Sequence, residues 1–191
     1  MKLSLVYALA LSSLTATAAQ ATDFTAVLQT YLDTEVSTWA ASPEIVAALK
    51  AQNAVTADFD QAKIDALDAE WRATVASPDT PIIADVLNDP LSDYLRGVMM
   101  QAGGQIAEII VMDAKGLNAG ITGVTSDYWQ GDEAKHQKTY GAGANGQFVD
   151  EVEFDESTQS YVGQVSVVVV DPESGAPIGA VTVGVDAESL L

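Results

Sequence analysis

The 191-residue chain has no cysteine and a single histidine. That excludes a thiol nucleophile, a thiolate metal site and any need for oxidative folding. A Ser-His-Asp triad would have to use His136, and no Gly-x-Ser-x-Gly elbow is present to pair with it. One imidazole without a thiolate is likewise a poor start for zinc. Basic residues are scarce: 8 Lys and Arg stand against 27 Asp and Glu, a net charge of −19. Nucleic-acid binding requires a basic surface, so this balance argues against DNA or RNA as partners, and against anionic membrane surfaces. Solubility, or adaptation to a salty medium, accounts for the acidity more simply than a specific cationic ligand.

No apolar run approaches the ~20 residues that span a bilayer. Residues 3–14 are mostly apolar, come after Lys2 and precede Ala19-Gln20-Ala21, the layout of a secretory signal peptide cleaved after Ala21. The expected product is an exported, periplasmic protein of one domain over residues 22–191, with a helical part over 22–104 and a sheet part over 105–191.

In the first half, Phe24, Val27, Leu28, Tyr31, Leu32, Val36 and Trp39 form one stripe at helical spacing. Ser42-Pro43-Glu44 reads as a cap and first turn of a helix carrying Ile45, Val46 and Leu49. A third helix is predicted over 61–75 with Asp60 as cap, then a break at 77–81, then a helix begun by Asp89-Pro90 and ended near Gly103-Gly104. Residues 105–113 are β-branched and of strand length. Residues 119–122 pair with them across a turn at 115–118. A short helix over 132–139 and a flexible loop over 141–146 precede a strand over 148–154, whose apolar and acidic residues alternate. Residues 161–170 and 178–185 are the long strands, joined by Asp171-Pro172-Glu173-Ser174-Gly175. Helices first and antiparallel strands after argue for an α+β fold.

The order of the strand ending Val111-Met112-Asp113, the Lys115-Gly116-Leu117-Asn118 turn, the segment Thr125-Ser126-Asp127-Tyr128-Trp129-Gln130-Gly131-Asp132-Glu133 and the two long strands resembles the extracytoplasmic Cache family of PAS-like sensor domains. The resemblance implies a long N-terminal helix, further helices and a five-stranded antiparallel sheet. It also implies that residues 127–140 cover one sheet face and close a ligand pocket. Asp127, Tyr128, Trp129, Asp132, Lys135, His136 and Tyr140 are then the candidate ligand-binding residues, with Lys138 beside them. Tyr and Trp supply flat walls with one polar handle, Lys and His attract a carboxylate, and Asp holds an ammonium. The alternative is a solvated loop whose aromatics plug the sheet edge. Asp186, ending the last strand, is added from the family's use of a distal aspartate against a ligand amine. The family's arginine before the aromatic pair is missing, and Arg96 is the arginine expected nearest the pocket, with a surface position as the alternative.

The acidic run over 150–156 lacks the spacing of a calcium loop and reads as a solvated edge that discourages strand addition. No carboxylate pair is singled out for hydrolysis. The sequence therefore points to a non-catalytic sensory domain without cofactor, binding a small polar metabolite, carboxylate or amino-acid-like. With no signalling module after Leu191, it would report to a separate membrane receptor or kinase, and its N-terminal helix offers a homodimer face. The other readings are a ligand-free interaction protein of the cell envelope and an acidic periplasmic hydrolase.

Overall fold

The computed structural model describes residues 24–77, 79–156 and 159–191. The signal-peptide segment lies outside the described residues. The N-terminal stripe forms one helical run in three parts: α1 (Phe24–Tyr31), a π-helical turn (Leu32–Val36) and α2 (Ser37–Trp39). The Ser37 amide donates to the Leu32 carbonyl, which closes the wider turn. α3 (Pro43–Thr56) starts with proline at its first position. α4 (Gln61–Thr74) is capped by Asp60, whose carboxylate accepts from the Lys63 amide at 2.9 Å. Asp89 does the same for Leu91 at 2.8 Å at the start of α6 (Pro90–Gln101).

Between them lies α5 (Pro81–Leu87), a helix over residues to which the sequence assigns no element beyond the break at 77–81. Thr80 sits at its N-cap position and Pro81 opens its first turn, so the proline that marks a break also begins a helix. Ile82, Ile83, Val86 and Leu87 carry the helical spacing.

The second half is an antiparallel sheet in the order β2 (Asn118–Ile121), β1 (Ile106–Asp113), β6 (Pro177–Asp186), β5 (Ser160–Val170), β3 (Gln147–Val149). β4 (Glu153–Asp155) also pairs with β5. The sheet is five strands wide, as expected, but the strand predicted over 148–154 is two short pieces. Val149 stands opposite Val165 and Glu153 opposite Val162; the Asp150 amide still donates to the Gln164 carbonyl at 2.8 Å, and residues 151–152 depart from the ladder. Alternation of apolar and acidic residues therefore overstates the length of the strand. The loop expected over 141–146 begins with a 3-10 turn (Tyr140–Ala142), and α7 (Ala134–Gln137) is the short helix predicted over 132–139.

Strand alternation divides the core into two layers. Val165, Val169, Val181, Val183 and Val185, with Ile109 and Val111, meet Leu28, Leu32, Ile45, Leu49, Leu91 and Leu95 from the helices. Ile110, Met112 and Ala180 face the other way, against Ile64, Trp71, Ile83, Leu117, Ile121 and Tyr128. α3 is also tied to the β5–β6 turn, where Lys50 pairs with Asp171 at 2.9 Å and Glu173 at 2.7 Å. Lys50, with Ser174 and the Glu173 amide, holds the Asp171 carboxyl down at about 2.

Leu49 is fully buried on the helical layer. Leu49→Ala is expected to cost about 2–5 kcal/mol in urea unfolding, whereas Val55→Ala on the exposed side of α3 should stay within about 0.5 kcal/mol.

Candidate functional site

The site begins at the end of β1. Asp113 is fully buried, and its carboxylate accepts from the Thr56 hydroxyl (2.8 Å), the Lys115 amide (2.8 Å) and the Leu117 amide (2.9 Å). Burial raises the Asp113 carboxyl above the usual carboxylate range, against the pull of these donors and of nearby His136. The turn it organises is tight. Gly116 has φ +85°, and a Cβ there would lie 2.5 Å from the Gly131 Cα. The Gly116 carbonyl accepts from the Gln130 amide at 2.8 Å, so the β1–β2 turn and the connection after β2 dock backbone to backbone.

That connection, residues 125–140, covers the sheet face opposite the N-terminal helix. Tyr128 is buried and stacks on Trp71 of α4 with ring centres 5.3 Å apart. Its hydroxyl accepts from Gln52 of α3 at 3.4 Å. The Trp71 indole donates to the Thr125 carbonyl at 2.8 Å. Asp68, one turn before Arg72 on α4, holds the chain from below: its carboxylate accepts from the Tyr128 amide (2.9 Å) and the Trp129 amide (3.1 Å) and pairs with Arg72 at 2.7 Å. Arg72 also reaches Asp127 at 3.6 Å. Trp129 is half-buried and donates from its indole to the Lys115 carbonyl at 2.8 Å.

α7 brings the remaining cluster to the same end of the sheet. The His136 Nε2 lies 3.2 Å from the Asp113 carbonyl oxygen, and its ring stacks on Tyr140 at 5.2 Å. Burial lowers the His136 pKa below 6.5, with the Asp113 carbonyl and charge opposing. The neutral ring then donates from Nε2. Lys135 is largely buried and pairs with Glu133 at 3.0 Å. Lys138 lies over the Phe148 ring at 4.1 Å, and Asp132 is exposed. Two acceptors in this layer lack a donor. The Asn118 and Gln130 amide nitrogens both donate to the Asp127 carbonyl (3.0 Å each), and their buried oxygens, Asn118 Oδ1 and Gln130 Oε1, have no hydrogen-bond partner among the described residues.

The structure thus gathers Asp127, Tyr128, Trp129, Lys135, His136 and Tyr140 in one cap. Asp186 is elsewhere. β6 places Gly179 opposite Asp113, and Asp186 lies seven residues further, about 23 Å along the strand. Its carboxylate accepts from the Glu188 and Ser189 amides (3.0 and 3.2 Å), capping the 3-10 turn Glu188–Leu190. Arg96 is also placed away from the cap, donating to the Leu87 carbonyl and pairing with Asp93. The arginine that meets the aromatic segment is Arg72, which the sequence does not single out, any more than Asp68 or Thr56, and Asp113 is legible there only as the end of a strand. Asp68 and Arg72 at i, i+4 on a helix give a pairing signal, but nothing in the spacing shows what they would hold.

No family model and no curated protein matches the chain. Among solved structures, the sensor domain of the Vibrio cholerae histidine kinase DctB is similar at 13% identity and a TM-score of 0.45, over 87% of this chain and 53% of that one. The ligand-binding domain of the Campylobacter jejuni chemoreceptor Tlp3 in complex with 4-methylisoleucine is similar at 15% identity and a TM-score of 0.41, over 88% and 62%. The Escherichia coli DcuS sensor domain is similar at 16% identity and 0.39, over 66% and 92%. The chain spans about half to two thirds of the first two of these.

Two outcomes check the site. Asp68→Ala leaves two buried amides without an acceptor, at about 1–3 kcal/mol each, and should speed hydrogen exchange at Tyr128 and Trp129 before that of β6. Because the folded His136 pKa is lowered, the unfolded chain takes up its proton first, and stability falls as pH drops through 6.5. Urea titrations at about pH 7.5 and about pH 5.5 should show that loss in the parent chain and a smaller one in His136→Gln. The fold at large is an α+β arrangement of helices on an antiparallel sheet.

Proposed function

We propose that this chain is an extracytoplasmic Cache-type sensory domain that binds a small polar metabolite without transforming it. The observation that carries this reading is the cap. An aromatic and polar connection lies over the sheet face opposite the N-terminal helix, where the family resemblance of residues 106–186 puts a ligand. It is held by a few polar anchors rather than by continuous secondary structure, the kind of attachment that opens at lower cost than a strand or helix. The two buried amide oxygens of Asn118 and Gln130 favour a ligand that brings hydrogen-bond donors, such as an ammonium group. Lys135 and His136 stand at the same end for a carboxylate. An amino-acid-like molecule satisfies both. The ligand state would pass to a membrane receptor or kinase, with residues 22–191 acting as one sensor unit after export.

The test is a thermal-shift screen of residues 22–191 against amino acids, amines and organic acids. A ligand at ~100 times Kd adds about 2.7 kcal/mol, which raises Tm by several degrees. A hit should be lost or weakened in Lys135→Ala, whose fold is checked by circular dichroism. A chain that shifts with no member of the panel is not a metabolite sensor of this class.

A further inference from the structure

A second candidate site lies on the helical side of the sheet, away from the cap. The N-terminal helical run and α6 border a cleft of about 480 Å³, within the range of small-molecule pockets. Three aromatic residues line it, Tyr31, Trp39 and Tyr94, with Glu35, Gln101 and Gln105 among them, and none of its lining residues is basic. A smaller recess of about 300 Å³ shares Tyr31, Glu35 and Gln105, so this trio stands between two openings.

The backbone there is irregular in a way that presents Glu35. The π-helical turn Leu32–Val36 inserts an extra residue per turn, a feature often found where a helix carries function. Glu35 lies within it and is exposed, and among the described residues it forms no ion pair. Tyr31 beside it is 8% exposed. Burial, and then the charge of Glu35, raise its phenol above the ordinary value, so the carboxylate is felt at that ring.

We infer that this cleft is a binding site for a small organic cation, an alkylammonium or quaternary ammonium group, enclosed by Tyr31, Trp39 and Tyr94 and neutralised by Glu35. Aromatic faces carry negative potential and attract such cations, and a quaternary ammonium, having no N–H, is also only weakly hydrated. An anion would meet an unpaired carboxylate in a chain of net charge −19. A neutral molecule of the same shape would use the rings and leave Glu35 without a partner. The site is independent of the cap, because its residues lie on the other face of the sheet.

The probe is choline, read against its neutral isostere 3,3-dimethylbutan-1-ol by tracking the Trp39 indole N–H resonance in a 15N-labelled sample of residues 22–191. Choline is expected to shift that resonance and to bind about tenfold more tightly than the isostere. Glu35→Gln, an exposed substitution that leaves the helix intact, should abolish most of the difference, and Trp39→Leu should weaken choline binding in a thermal-shift assay. Equal binding of choline and the isostere, retention of the preference in Glu35→Gln, or no response to excess choline would each overturn the assignment. Cap variants such as Lys135→Ala should leave choline binding unchanged, which separates this site from the metabolite site.

Discussion

The buried carboxylate of Asp113 is the point on which the two halves of the structure meet. It ends β1, takes a hydrogen bond from Thr56 at the end of α3, and fixes the turn to β2 through the Lys115 and Leu117 amides. Its own carbonyl receives His136 from α7. Its donors oppose the burial that raises the Asp113 carboxyl. They join a helix, a strand turn and the cap in one polar node. The backbone contact of Gly116 with Gly131 then depends on the turn that Asp113 sets.

From that node the sheet separates two environments. On one face, valines of β5 and β6 pack against leucines and isoleucines of the helices, a dry layer with side chains of similar shape. On the other, Trp71 and Tyr128 stack over Ile110, Met112 and Ala180, and several polar groups are buried beside them. Ser166 and Thr182 satisfy one another across β5 and β6 at 2.8 Å, fully buried. Asn118 and Gln130 are satisfied on one side of each amide alone. The second face therefore adds to its own apolar contacts a set of directional bonds to α4 and to the β1 turn. Such bonds fail one at a time, while the apolar layer fails as a whole.

Much of the fold is legible in the sequence because its signals are local. Asp60 and Asp89 cap the helices they are expected to cap, Asp171 to Gly175 form the turn between the long strands, and β-branched runs become β1, β5 and β6. α5 is hidden because Pro81 both breaks the segment before it and starts a new helix. The strand over 148–154 is overdrawn because alternation survives a loop that interrupts hydrogen bonding. In the site, the aromatic segment is visible in sequence, but its anchors are not. Asp68 precedes Tyr128 by 60 residues, and Thr56 precedes Asp113 by 57. No periodicity links residues so far apart.

By itself, the sequence determined the acidic surface, the absence of thiol and zinc-thiolate chemistry, the order of helices before strands and the turn between the long strands. Each of these is set by composition or by spacing within one element. Tertiary structure alone decided which carboxylates carry structure. It placed Asp113 in the core and Asp68 under the cap, and it put Asp186 at the end of β6 remote from the Asp113 turn, away from the cluster to which the resemblance had assigned it. A carboxylate's role is set by the donors that reach it and the water it loses. Both are supplied by chain segments distant in sequence, brought together only when the sheet closes against its two layers.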